Sequence, residues 1–274
     1  MFQFASSLGI ATSSNASLCL SYPPEGSDNP CGETLDDYFV GPFRWCPRPS
    51  GQLTVLVEKG NSIYTEFPPF RGAAVIKTNA GANTGFLQSW HYWCSTSDAC
   101  LPKVREALTF RPAIREHARQ FLTHHTSDGE IAIGVHVRRT DHVVGNYVCA
   151  DSHTNNIPGS AYYKAAMDLM RARFNLSKVR FIVVSDDSEW CHTQPHFSDS
   201  DVSIVPGSLH HPPALDVAIL SSCKHVIIGQ GTFSWWAGWL SRGHVVYHGI
   251  ALGEVEARKR LDNFPPQWIP LTTP

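Results

Sequence analysis

Two short stretches carry side chains whose types and spacing suit the binding of a diphosphate. The first is His136-Val137-Arg138-Arg139-Thr140-Asp141, where adjacent guanidinium forks can hold phosphate oxygens bidentately. The second is Gly229-Gln230-Gly231-Thr232-Phe233-Ser234, in which a glycine-bearing turn opens a helix. A helix start of this kind presents backbone N–H groups at a positive dipole end, which is an anion site. Taken singly, each stretch has a plainer reading: a solvated arginine pair, and a glycine turn with a threonine or serine cap. Together they suggest a nucleotide-diphosphate ligand. The sequence contains neither G-x-x-x-x-G-K-[ST] nor a strand-linked G-x-G-x-x-G, which argues against an NTPase and a dinucleotide dehydrogenase. Asp199-Ser200-Asp201 has the D-x-D form that can hold a divalent cation, but it follows Pro195 in a polar stretch that reads as a surface turn. With arginine and a helix N-terminus available, the phosphates require no metal.

The elements that must position these groups are clearest after residue 129. Apolar runs predict strands at Ile131–Val137, Arg180–Val184, Val202–Val205, His225–Gly229 and His244–His248, alternating with helical patterns over Ala161–Phe174, Ala214–Cys223 and Thr232–Ser241. Such alternation predicts a doubly wound, mostly parallel α/β sheet. Ligands of these sheets lie outside the carboxyl ends of the strands, where the two stretches above and Ser185-Asp186-Asp187 should share one rim. Asp186 and Asp187 would either line that rim or cap a helix starting near Ser188. The first 110 residues are broken by Pro and Gly, with strands predicted at Gln52–Lys59 and Ala73–Lys77 and a helix over Arg111–His124. Met1 to Ala11 has helical spacing with no N-cap before it, as if the chain began inside a helix.

Composition limits the alternatives. Of 274 residues 42% are hydrophobic and 17% charged, and 22 Lys+Arg against 24 Asp+Glu give a net charge of −2. A basic nucleic-acid footprint and disorder are both disfavoured. Apolar runs such as Ile131–Val137 fall far short of the roughly 20 residues needed to cross a bilayer. The eight cysteines include no C-x-x-C pair, so a zinc ribbon lacks support. Their even number, with the sequons Asn15-Ala16-Ser17 and Asn175-Leu176-Ser177, leans toward a secreted or lumenal setting. The pairs His124-His125 and His210-His211 lack the spacing of a metal-binding helix face.

His136 to Asp141 resembles the H-x-R-R-x-D motif shared by α1,2-, α1,6- and protein O-fucosyltransferases. Asp216-Val217-Ala218-Ile219-Leu220, Cys223-Lys224-His225 and Thr232-Phe233-Ser234-Trp235-Trp236-Ala237-Gly238-Trp239-Leu240 are similar to the D-x-x-x-L, C-x-H and T-F-S-W-W-A-x-W-L signature of the α1,2-fucosyltransferases, glycosyltransferase family 11. Gln88-Ser89 with Tyr92, Ser185 to Cys191, and Met1 to Ala5 match further segments of that family, so the resemblance spans essentially the whole chain. It implies a GT-B-like α/β fold of two Rossmann-like halves, an acceptor-side half over 1–128 and a GDP-fucose-binding half over 129–274. It also implies metal-free, inverting transfer of L-fucose from GDP-β-L-fucose to the 2-hydroxyl of a terminal galactose on a glycan.

Carried over by motif, Arg138 would bind the β-phosphate and stabilise the leaving group, with Arg139 beside it. Thr232, Phe233 and Ser234 would contact the diphosphate, and His136 and Asp216 the guanine. Asp141 is the candidate base for the acceptor hydroxyl, unless it orients Arg138; His142, Asp151 and His153 are weaker candidates. Trp90, Tyr92 and Trp93 are candidates for stacking on the acceptor sugar, whereas Trp235, Trp236 and Trp239 should pack on the sheet. The family's Gly-Gly-x-Gly-Asn-Gln segment has no counterpart before Met1, and Gln230-Gly231 stands where many relatives have Asn-Ser. Thr140 stands where α1,2 members often have Gly, as in α1,6 relatives; the T-F-S-W-W signature favours the α1,2 group. Animal members are Golgi type II membrane proteins, so the resemblance implies a lumenal catalytic domain whose front end and anchor lie outside this sequence.

Overall fold

Five of the apolar runs in the second half become strands of one parallel sheet. A computed structural model describes residues 1–21, 34–47, 54–57, 64–67, 70, 74–77, 87–94, 100–139, 157–174, 178–206, 212–229, 231–249 and 262–272. The chain divides into two compact units, Met1–Arg111 with Leu252–Pro266, and Pro112–Ala251 with Gln267–Pro274. The expected domain break at 128 thus differs from the division found, which gives residues 112–128 to the second unit and returns 252–266 to the first.

In the first unit, helix α1 (Phe2–Ser13) lies on α3 (His91–Cys94), with α4 (Cys100–Ala107) beside both. Gly9 makes the α1–α3 approach possible, because a Cβ there would collide with the Tyr92 carbonyl, and the buried Ser6 hydroxyl donates to Leu87 O at 2.7 Å. Two short parallel pairs complete the described strands: β1 (Leu20–Ser21) with β2 (Trp45–Cys46), and β3 (Thr54–Val57) with β4 (Ala74–Lys77). Cys19 and Cys46 form a disulfide. Between β1 and β2, Thr34 and Asp37 form a capping box at the start of α2 (Leu35–Tyr38).

The second unit opens with α5 (Pro112–His125), proline at its first position. There follow β5 (Ile131–Val137), α6 (Ser160–Phe174), β6 (Val179–Ser185), α7 (Ser188–Thr193), β7 (Val202–Ile204), α8 (Pro213–Ser222), β8 (His225–Ile228), α9 (Thr232–Ser241), β9 (Val245–His248) and β10 (Ile269–Leu271). The spatial order is β7-β6-β5-β8-β9-β10, every pairing parallel. In chain order this is the 3-2-1-4-5-6 arrangement of a Rossmann sheet.

Period-2 alternation sends Ile133, Val135, Val137, Phe181, Val183, Ile227 and Val246 to the face covered by Tyr162, Tyr163, Met167 and Met170 of α6. Each such side chain, fully buried, contributes about 1.5–3 kcal/mol. The opposite face carries α8 and α9. Gly134 lets α8 close on β5, since a Cβ there would meet Leu220 Cδ2 at 3.0 Å. Trp235, Trp236 and Trp239 of α9 are 4%, 3% and 5% exposed and pack on one another, Trp235 also on Trp268, as expected of core residues. Among the described residues no helix is long and apolar enough to cross a membrane.

Candidate functional site

The order of the sheet decides where a ligand can enter. Chain direction along the strand order reverses between β5 and β8, which pair directly, with His136 opposite Ile228. The carboxyl ends of these two strands run into the two motifs singled out above, so both border the topological switch point where doubly wound sheets bind ligands.

Past β8 the chain turns at Gly229 and caps α9 with Gly231. A Cβ on Gly229 would lie 3.0 Å from the Tyr163 hydroxyl and 3.3 Å from Pro158, so a side chain there would wedge the turn from α6. Gly231 has φ +100° and ψ 157°, backbone territory that essentially only glycine occupies. As N-cap it has no side chain to occupy the first-turn amides of α9, and Thr232 beside it is exposed. The Arg138 guanidinium reaches this turn: its Nη1 lies 3.8 Å from the position a Cβ on Gly231 would take. A full positive charge and a helix N-terminus therefore converge on one point.

His136 braces this cradle from below. Its Nδ1 lies 2.5 Å from Ser234 Oγ, in the first turn of α9, and its ring packs at 4.9 Å on Phe233. Burial pushes its pKa down to about 4; the nearby Arg138 charge acts in the same direction and Asp186 against it. The imidazole is neutral at pH 7, able to exchange one hydrogen bond with Ser234 and to add no charge. Tyr163 donates from its hydroxyl to His136 O at 3.4 Å, and Tyr162 to Ile228 O at 2.6 Å and Val246 O at 3.4 Å. These two tyrosines tie the carboxyl ends of β5 and β8 to each other and to β9.

The adjacent arginines, which follow the end of β5, have different partners. Arg139 Nε donates to Asp187 Oδ2 at 3.4 Å, its guanidinium lies 3.9 Å from the Trp190 ring centroid, and its backbone N–H donates to Asp186 Oδ1 at 2.8 Å. Asp187 also caps α7, accepting from Trp190 N–H at 3.0 Å. Arg139 thus joins the ends of β5 and β6, whereas Arg138 meets α9. Asp216 sits buried in the first turn of α8, which packs on α9, and burial pushes its pKa up to about 7. The structure therefore brings His136, Arg138, Phe233 and Ser234 together, sets Thr232 at the mouth, places Asp216 on the neighbouring helix and ties Arg139 to Asp187. Asp141, His142, Asp151, His153, Thr140 and Gln230 lie outside the described residues.

Two other expectations meet particular outcomes. Asp199 and Asp201 both close on Arg171, at 2.9 and 2.7 Å, so this D-x-D is an arginine clamp. Tyr92 and Trp93 are 1% and 0% exposed and belong to the core of the first unit, where Trp93 packs on Phe2 and Tyr92 on Tyr64 and Phe67; as a site for stacking on sugar they are corrected. Trp90, just before α3, is only half-buried. Sequence reasoning did not single out Tyr163 as a support for the site; its adjacency to Tyr162 at the start of the helix returning from the first motif was the available signal.

The sequence pattern of glycosyl transferase family 11 matches residues 74–272. The chain belongs to that family. Galactoside 2-alpha-L-fucosyltransferase Sec1 of Mus musculus is 34% identical over 167 residues, 60% of this chain and 43% of the relative. Galactoside alpha-(1,2)-fucosyltransferase 2 of Rattus norvegicus is 31% identical over 167 residues, 60% of this chain and 45% of the relative. The chain matches less than half the length of these family 11 relatives. Fucosyltransferase NodZ from Bradyrhizobium shares the fold, with a TM-score of 0.52 and 16% identity over 86% of each chain. This likeness agrees with the GT-B-like α/β architecture expected of a family 11 chain.

Proposed function

We propose that this chain transfers L-fucose from GDP-β-L-fucose, with inversion, to the 2-hydroxyl of a terminal galactose on a glycan. The observation that carries the reading is the approach of the Arg138 guanidinium to Gly231 at the N-terminus of α9. A diphosphate seated there meets a guanidinium and a set of backbone amides in one place. The names of the family 11 relatives support the sugar and the linkage.

In the transfer the acceptor O2 attacks C1 of fucose, the bond from C1 to the β-phosphate oxygen breaks, and its electron pair stays on GDP. Negative charge grows on that oxygen as the bond lengthens, so a preorganised Arg138 and α9 stabilise the transition state more than the bound donor. The neutral His136 holds Ser234, and through it the first turn, without drawing the diphosphate away. Asp216 as a carboxylate would accept from the guanine ring N–H and exocyclic amine. The proton of the acceptor hydroxyl passes to a base, for which Asp141 is our candidate. The Cys19–Cys46 disulfide supports an oxidising compartment, in line with the Golgi lumen.

Calorimetric titration with GDP-fucose, paired with linkage analysis of the product made on a β-galactoside, tests the reading. Binding followed by an α1,2-linked product is expected. An α1,6 or protein O-linked product would overturn the linkage, and binding with neither transfer nor hydrolysis would make the chain a nucleotide-sugar binder.

A further inference from the structure

The loss of Tyr92 and Trp93 to the core leaves open what in the first unit could hold an acceptor. Around the half-buried Trp90 the structure collects a different set. The Trp90 ring stacks on His91, centroids 4.0 Å apart and planes 28° from parallel, and Tyr64 lies 5.4 Å from His91. Beside them stands Asp262, brought by the segment that returns to this unit. Its Oδ2 accepts from the Tyr64 N–H at 3.3 Å and its Oδ1 lies 3.6 Å from His91 Nε2. The side chains of His91 and Asp262 are 27% and 25% exposed.

A merely structural pin would account for part of this. However, the returning backbone is already held by the buried Ser89, whose hydroxyl donates to Asp262 O at 2.8 Å. The carboxylate has about four acceptor positions, and the described contacts use one on each oxygen. Its orientation is fixed while it remains open to water.

A pyranose presents two unlike surfaces, a patch of C–H bonds and an edge of hydroxyls. Partly exposed rings match the first, and an oriented carboxylate accepting from neighbouring hydroxyls matches the second. In a β-galactoside the axial 4-hydroxyl leaves C3, C4 and C5 with a continuous C–H patch on one face, which suits a flat indole. We infer that Trp90, His91, Tyr64 and Asp262 form a sugar subsite that takes the terminal galactose of the acceptor. As an acceptor subsite it rests on the fucosyltransferase reading, yet sugar binding at these residues is measurable without transfer.

The test uses lactose as the β-galactoside and the full chain. Saturation-transfer NMR gives its binding, calorimetry gives GDP binding, and initial rates give the lactose KM. Trp90→Ala and Asp262→Asn are each expected to weaken lactose binding and raise its KM by about tenfold or more, with GDP affinity unchanged. Trp90→Phe, which keeps a ring, should recover most of the loss; it also serves if the alanine variant fails to fold. Wild-type lactose affinity in Trp90→Ala and Asp262→Asn, or a parallel fall of lactose binding, GDP binding and thermal midpoint, would overturn the inference. So would a wild-type chain that does not bind lactose. If lactose binds but no fucose is transferred, the enzymatic reading falls and the subsite stands. If fucose is transferred to lactose with an unchanged KM in both variants, the subsite falls and the enzymatic reading stands.

Discussion

The two edges of the parallel sheet use charge differently. At the amino edge, acids and bases are matched with one another. Arg180 at the start of β6 donates to Glu130 just before β5 at 3.0 Å. Arg171, in the last turn of α6 and 12% exposed, meets Asp168, Asp199 and Asp201 and lies over the Phe181 ring. At the carboxyl edge one pair, Arg139 with Asp187, is matched in the same manner, but Arg138 also approaches a glycine turn and a helix start, with Asp216 buried in a helix nearby. Matched charge fixes the ends of elements, while charge held against a cradle of amides is suited to a partner that comes and goes. One fold therefore keeps its densest charge pairing at the amino edge and, at the carboxyl edge, adds the anion cradle on which the proposed function rests.

The strongest way to break this contrast is at Arg138. Arg138→Ala should lower kcat by about 10²–10³ and weaken GDP binding, read by transfer assay and calorimetry, with the unfolding midpoint nearly unchanged. Arg171→Met at the other edge should do the reverse. It leaves Asp199 and Asp201 without their common partner and should cost about 1–3 kcal/mol in urea unfolding, with unaltered GDP affinity. A loss of GDP binding in Arg171→Met, or of stability alone in Arg138→Ala, would erase the distinction.

Acidity offers a gentler probe. His136 at the binding edge and His225 at the amino edge are both held down to about 4 by burial; His225 accepts from His244 N–H at 3.0 Å and stacks on Phe174. Below the ordinary 6.5 the unfolded chain binds these protons and the folded one does not, so stability present at neutrality should fall as pH drops from about 6.5 toward 4. Asp216 has the opposite sign. The folded chain keeps its proton up to about 7 and the unfolded chain releases it near 3.8, so this residue's contribution to stability declines as pH rises through that window. GDP affinity should instead rise toward pH 7 and above, because the guanine contact proposed for Asp216 requires the carboxylate. Asp216→Asn should remove both trends, measured by unfolding and by titration across pH. The smallest effect is expected at Lys164, whose pair with Asp168 at 2.7 Å is largely solvent-exposed. Lys164→Ala should change stability by about 0.5 kcal/mol or less and GDP binding not at all.

How much of this was legible in the sequence follows from the range of the forces involved. Strands β5, β6 and β8 and helices α6, α8 and α9 stand out as apolar segments between polar turns, and the convergence of Arg138 with Gly231 followed from the rule that ligands sit at carboxyl ends. Strand β10 was missed because Pro270 interrupts a three-residue run; proline is tolerated there because β10 is an edge strand. The divergence of Arg138 and Arg139 was not legible, because both follow the end of β5 and a motif written as a pair hides their separate partners. The burial of Tyr92 and Trp93 was not legible, since α3 is a single turn whose inward face is chosen by α1 and Gly9, far away in sequence. Asp262 lay beyond sequence reasoning altogether, because only the return of 252–266 to the first unit brings it to Tyr64 and His91.

The pairing of β5 with β8 has a kinetic and a thermodynamic side. Residues 136 and 228 must meet before the crevice exists, and among the described residues two strands, three α-helices and a short 3-10 helix at Pro195–Ser198 intervene along the chain. Closing so long a loop is entropically slow and is rewarded only when the intervening elements have docked. The crevice proposed to take the nucleotide is thus a product of nearly complete folding of its unit, with no counterpart in an unfolded chain. A nucleotide bound there counts wholly toward the native state, worth about 2.7 kcal/mol at a hundred times its Kd. The melting temperature of the chain then reports donor occupancy directly.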